Sequence, residues 1–139
     1  MKVIYVASIA IFLCVGSYES KASELDRVVS SLCDYAKNDN RSAMRKKLKQ
    51  LHLKLRHVYG GITCGAVDGF SGGSLLRVST FFGSLNAAKF IATKIGKKGV
   101  ASAEADGKNI MSWTESLISS GGSKATNLQD FVTYYKSKS

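Results

Sequence analysis

A mostly α fold is expected of this chain: a small bundle of six or seven short helices with one glycine-rich loop and one disulfide. Three observations lead there. Apolar residues recur every three or four positions in segment after segment, the spacing of a single helix face. Ser, Asn and Gly stand where such segments start and stop, and none of the 139 residues is proline. Two of the three cysteines lie in the body of the chain, and the third lies in what reads as a leader.

The leader comes first. Lys2 precedes an unbroken apolar or small run, Val3 to Val15, and Ser20-Lys21-Ala22 has the small-x-small form of a cleavage site. Residues 1–22 are therefore expected to be a signal peptide, with cleavage near Ala22 and delivery to the periplasm or the medium. The apolar run is too short for the roughly 20 residues of a spanning helix. Cys14 follows Leu13, where a lipid-attachment site would want a small residue. Removal of Lys2, Glu19 and Lys21 takes the formal charge from +10 to +9. Cys33 and Cys64 then remain, in a compartment that permits disulfides. A bridge between them would close a loop of about 30 residues and stabilise the fold by about 3–4 kcal/mol in the chain-entropy picture. Two free thiols or a redox pair are the alternatives, without the C-x-x-C that would favour them.

Residues 23–37 read as a helix whose face is Leu25, Val28, Val29, Leu32, Cys33 and Ala36. Ser23 is its expected N-cap, and Glu24 and Asp26 suit the first turn. Asn38-Asp39-Asn40 ends it and caps the next element. Met44, Leu48, Leu51, Leu55 and Val58 then form a narrow apolar stripe. Leu53 would sit opposite that stripe on a straight helix, so a bend near 50–53 is expected. Gly60–Gly73 holds six glycines in fourteen residues and reads as a loop, with Ile62-Thr63-Cys64 extended. Ser74 caps a helix with Leu75, Leu76, Val78 and Phe82 inward, stopped at Gly83. Ser84 opens another, with Ala87, Ala88, Ile91 and Ile95 inward, ending at Gly96. Residues 97–108 read as a second loop, and Ile110, Trp113, Leu117 and Ile118 mark a helix broken at Gly121-Gly122. Asn127 and Asp130 resemble a capping pair for a last helix carrying Leu128, Phe131, Val132 and Tyr135. The expected organisation is a basic helical domain over 23–96, with 97–139 a helical extension packed on it.

The stretch RSAMRKKLKQLHLKLRHVYGG, 41–61, carries Arg41, Arg45, Lys46, Lys47, Lys49, Lys54 and Arg56 and no acid. These cations fill most of the circle outside the apolar stripe, as a solvated surface around a docked helix would. They are the expected anion-binding surface. Its partner would be an anionic envelope component: a lipid headgroup, an acidic polysaccharide or an acidic protein. Export disfavours nucleic acid. The plain alternative is that the charge only keeps a small protein soluble.

Catalytic and metal chemistry find little support. Gly69-Phe70-Ser71-Gly72-Gly73 fits G-x-S-x-G, but His52 and His57 both precede Ser71, whereas an α/β-hydrolase places its histidine last. The match is read as chance, with a flexible turn before a helix cap, and no enzyme is expected. The two histidines are five apart and not i, i+4, so no metal site is expected of them, and no G-x-x-x-x-G-K-[ST] is present. No cofactor is expected. Asp26, Asp34, Asp39 and Asp68 are scattered rather than paired. Trp113 and Tyr134-Tyr135 could form a ligand platform, but aromatics at helical spacing are more often core.

Cys33, the run RSAMRKKLKQLHLKLRHVYGGITC, Ser74-Leu75-Leu76-Arg77 and Asn86-Ala87-Ala88-Lys89-Phe90-Ile91 resemble a family of small secreted gammaproteobacterial proteins called domain of unknown function 3718. Its pattern leads from a cysteine through a basic Leu-x-Leu-Arg segment and Ile/Val-Tyr to a second cysteine, then through a short Asn-Gly turn into Ser-Leu-Leu. Here a longer Gly65–Gly73 segment replaces the turn. The resemblance covers about residues 25–95 and implies a secreted α-helical domain with a Cys33–Cys64 bridge. It implies no activity. The function expected on all these grounds is a small exported, non-enzymatic binding module; a membrane-active toxin or envelope stress factor is the alternative, since a basic amphipathic helix can lie in a bilayer interface.

Overall fold

The computed structural model describes residues 16–139, with side chains from Ser23 onward. Residues 1–15 of the expected signal peptide, Cys14 among them, lie outside the described residues. Helix α1 spans Gly16–Lys37, α2 Arg41–Gln50, α3 Leu55–Val58, α4 Leu75–Phe81, α5 Leu85–Ala101, α6 Ile110–Ser120 and α7 Leu128–Lys138. A single 3₁₀ turn, Tyr59–Gly61, follows α3 directly. Among the described residues there is no strand, only two isolated antiparallel bridges, Cys64 with Gly73 and Val67 with Phe70. No described helix is long and apolar enough to cross a membrane.

Helix α4 is the axis of the fold. All seven of its residues are buried, and α1, α5 and α6 pack around it. A helix enclosed on every side must satisfy its own polar groups. Ser79 and Thr80 do so by donating to the Leu75 and Leu76 carbonyls at 2.8 and 2.6 Å, and Thr80 Oγ1 lies 2.7 Å from the Tyr135 hydroxyl. This differs from the one-sided helix expected: Phe82 is only half-buried, whereas Arg77, Ser79 and Thr80 are inside. Helix α7 closes the bundle against α5 and α6, bringing Phe131 and Tyr135 to full burial.

Local chemistry sets the junctions. Asp39 takes φ 58°, and its carboxylate accepts from the Ala87 amide at 2.7 Å and from the Asn86 side chain at 3.0 Å. An acid from the α1–α2 link thus caps α5, at the end where the helix dipole favours negative charge. Ser84, expected to be that cap, instead donates to the Lys37 carbonyl at 2.6 Å. Likewise Asn127 makes no side-chain cap; its amide reaches the Gly83 carbonyl at 3.4 Å. Asn40, Ser74 and Asn109 do cap α2, α4 and α6 through their side chains.

The expected bend in 41–59 is there. Helix α2 ends at Gln50, His52 takes φ 54°, and α3 starts at Leu55. The break turns Leu53 toward the core and leaves Leu51 40% exposed, opposite to the straight-stripe expectation. Leu25 and Ile118, also expected inward, are exposed. The expected loop 97–108 begins as helix: beyond a non-helical kink at Gly96 (φ 78°, ψ 177°), helix runs on to Ala101. That φ/ψ pair is open essentially to glycine alone.

Candidate functional site

The glycine-rich segment is pinned rather than flexible. Cys64 and Gly73 exchange both backbone hydrogen bonds, at 2.7 and 3.0 Å, and so do Val67 and Phe70, at 3.0 and 2.8 Å. Between them Asp68 and Gly69 both have positive φ, as a two-residue hairpin turn of the primed type requires. Phe70 is 2% exposed and packs on Phe81, Phe82 and Trp113 with ring centroids 5.4–6.4 Å apart. Cys33 and Cys64 are bridged, with Cα atoms 5.6 Å apart, tying the hairpin base to α1. At its tip the Lys37 ammonium donates to Asp68 at 2.6 Å and holds that carboxyl below its usual range. Exposed as Asp68 is, the pair adds little stability.

One wall of a cleft of about 1170 Å³ is formed by this hairpin base and the Tyr59–Gly61 turn. Opposite stands the Gly96 kink with the segment beyond it, and Leu76, Ile95, Val100 and Ile110 make the floor predominantly apolar. A volume of this size is enough for a small-molecule ligand. The cleft was not anticipated, because its walls come from segments read as loops.

Arg77 locks the far wall in place. Its side chain, 9% exposed, donates from Nη1 and Nη2 to the two Asp106 oxygens at 2.8 Å each, and from Nη2 to the Lys108 carbonyl at 3.0 Å. Nε lies 3.2 Å from Glu104 Oε1 without the alignment of a hydrogen bond, and the guanidinium stacks 4.9 Å from the Trp113 ring centroid. Ser74 Oγ donates to Glu104 Oε2 at 2.8 Å while accepting from the Arg77 amide. Burial works against the Arg77 charge, and the hydrogen bonds and charges of Asp106 and Glu104 outweigh it. The same hydrogen bonds hold Asp106 well below the usual carboxylate range. Beside them, burial pushes the Tyr59 phenol up to about 12, against the pull of the Ser74 hydroxyl.

None of Arg77, Glu104 and Asp106 was singled out from the sequence as a charge network. A signal was there: one arginine inside the apolar run Leu75–Phe82 must find an anion, and Glu-Ala-Asp at 104–106 is the acidic stretch nearest the next helix.

The expected anion-binding residues divide between two places. Arg41, Arg45, Lys46 and Lys49 are exposed on α2, Lys47 is half-buried there, and Met44 and Leu48 face the core. Lys54 caps α3 by position, and Arg56 stands exposed at the mouth of the cleft. None of the seven makes an ion pair among the described residues. On α2, Arg41 sits at the positive end, in a first turn with no acid, and Arg41, Arg45 and Lys49 repeat at i, i+4, i+8, whereas Lys47 and Lys49 lie in the last turn, where the helix dipole favours cations.

Ser71 lies exposed on the returning arm of the hairpin, not at a strand-to-helix turn, and its hydroxyl makes no hydrogen bond among the described residues. His52 is in the α2–α3 link and His57 on α3, both exposed. Trp113 covers Arg77, and Tyr135 is core; neither forms an open platform.

No curated relative and no solved structure matches the chain. The family model described as "Protein of unknown function (DUF3718)" matches residues 32–104. The match starts at Leu32, just before the first bridging cysteine, and runs past Gly96 as far as Glu104, so it includes part of the cleft wall beyond residue 95. With more than half of its length matched, the chain belongs to this family.

Proposed function

We propose that the protein is an exported, non-enzymatic binding module whose basic ridge on α2 and α3 holds an anionic component of the cell envelope. One observation carries the reading: seven cations between Arg41 and Arg56 face no acid from residue 40 to 67 and make no ion pair among the described residues. Charge left unpaired in this way attracts an anionic surface at long range. The leader pattern at 1–22 and the Cys33–Cys64 bridge support an oxidising destination, the periplasm or the medium.

The test is capture of envelope fractions on the immobilised, oxidised protein, with phosphatidylglycerol vesicles and an acidic polysaccharide as separate arms. Retention at low salt is expected, with loss at about 1 M salt, where the screening length falls to about 3 Å. Arg45→Glu, Lys46→Glu and Lys49→Glu, all at exposed positions, should abolish it together. If that triple variant retains the same material, the reading is wrong.

A further inference from the structure

The cleft beside Arg77 goes beyond the ridge, and Arg56 is the single residue the two share. We infer that this cleft binds a single-chain anionic lipid, its alkyl chain on the apolar floor and its head against Arg56, Lys97 and Lys98. Three observations lead to that occupant.

The first is the balance of charge. Glu104 and Asp106 are the acids of the lining, and Arg77 engages both. The uncommitted charges at the mouth are Arg56, Lys97 and Lys98, all exposed and all positive. A head of negative charge is complementary to them, and a cationic or zwitterionic one is not.

The second is the floor. Leu76, Ile95, Val100 and Ile110 supply side chains without polar atoms. An alkyl chain needs only apolar surface withdrawn from water.

The third is preformation. One wall is held by the disulfide and the buried Phe70 ring, the other by the Arg77 bonds to Asp106, so the space does not depend on a ligand to open it.

The experiment is titration of the oxidised full chain with palmitate, hexanoate and palmitoylcholine, each below its micellar range. Palmitate should bind saturably at one per chain. Each methylene withdrawn from water multiplies the association constant about fourfold, so hexanoate should bind at least about a hundredfold more weakly. Palmitoylcholine, of opposite charge, should bind at least about tenfold more weakly than palmitate. Gly65→Trp and Ala103→Trp place a ring on opposite walls at exposed positions; a Cβ on Gly65 meets nothing within 4 Å. Each should weaken palmitate about tenfold or more with an unchanged thermal transition, whereas Arg45→Glu/Lys46→Glu/Lys49→Glu should leave it unaltered. Absence of palmitate binding, equal binding of hexanoate, or indifference to both tryptophans would overturn the inference. Vesicles held by the ridge with no palmitate bound would sink the cleft and spare the ridge, and the converse would sink the ridge alone.

Discussion

Arg77 shows how one residue organises a region it barely touches in sequence. A guanidinium in the core costs several kcal/mol unless it is paired, and here Asp106, Glu104, the Lys108 carbonyl and Trp113 surround it. Replacing both acids by amides, Glu104→Gln with Asp106→Asn, should cost about 2 kcal/mol in urea denaturation, the low end for a buried charge because Asp106 stays partly in water. The sign of the pH effect is fixed by Asp106. Its folded-state pKa is depressed, so its stabilisation is present above the unfolded carboxylate value of about 4 and is lost as pH falls below it. Wild type should therefore lose more stability than Asp106→Asn between about pH 6 and pH 3, on either side of that value. Tyr59 acts at the other extreme: its raised value makes the fold lose stability as pH climbs from about 10, the free phenol value, toward about 12. Tyr59→Phe should remove that part of the alkaline loss, measured by the same denaturation series.

At the scale of elements, most of the helices were legible because their apolar spacing is local. The paired Leu75-Leu76, the Ile110–Leu117 face and the break in 41–59 could all be read from the chain. Hidden from it were the features that depend on another element. Asp39 caps α5 in place of Ser84, and no spacing rule links residues 39 and 87. Gly96 looks like a helix stop, and only the packing of Val100, 3% exposed, shows why the helix resumes beyond it. Gly96→Ala should cost about 1–3 kcal/mol, since alanine is excluded from that backbone region. The candidate site was legible in part for the same reason: a run of cations announces itself, whereas a cleft assembled from 59–66 and 95–106 does not. The hairpin depends on a covalent tie. Cys33→Ser with Cys64→Ser should lower stability by about 3 kcal/mol, and thiol titration of the native protein should find no free thiol from this pair.

For the molecule as a whole, the apolar stripe of α2 and α3 is spent on the core: Met44 is 0% exposed, Leu48 6% and Leu55 2%. Such a helix cannot also lie with its apolar face in a bilayer without unfolding the bundle. Dye-filled anionic vesicles should therefore bind the protein without leaking, and leakage at saturating protein would favour a membrane-active role instead. The charge, by contrast, is left at the surface, where it acts over about 10 Å at 0.1 M salt. The central claim is that the α2 ridge, and not net charge in general, makes the anionic contact. It is tested most directly by titrating phosphatidylglycerol vesicles with wild type, with Arg45→Glu/Lys46→Glu/Lys49→Glu, and with an equal charge change on α7 and the 124 loop, Lys124→Glu/Lys136→Glu/Lys138→Glu. Loss of binding in the first variant and near wild-type binding in the second is the predicted result. Equal loss in both, or in neither, would contradict it.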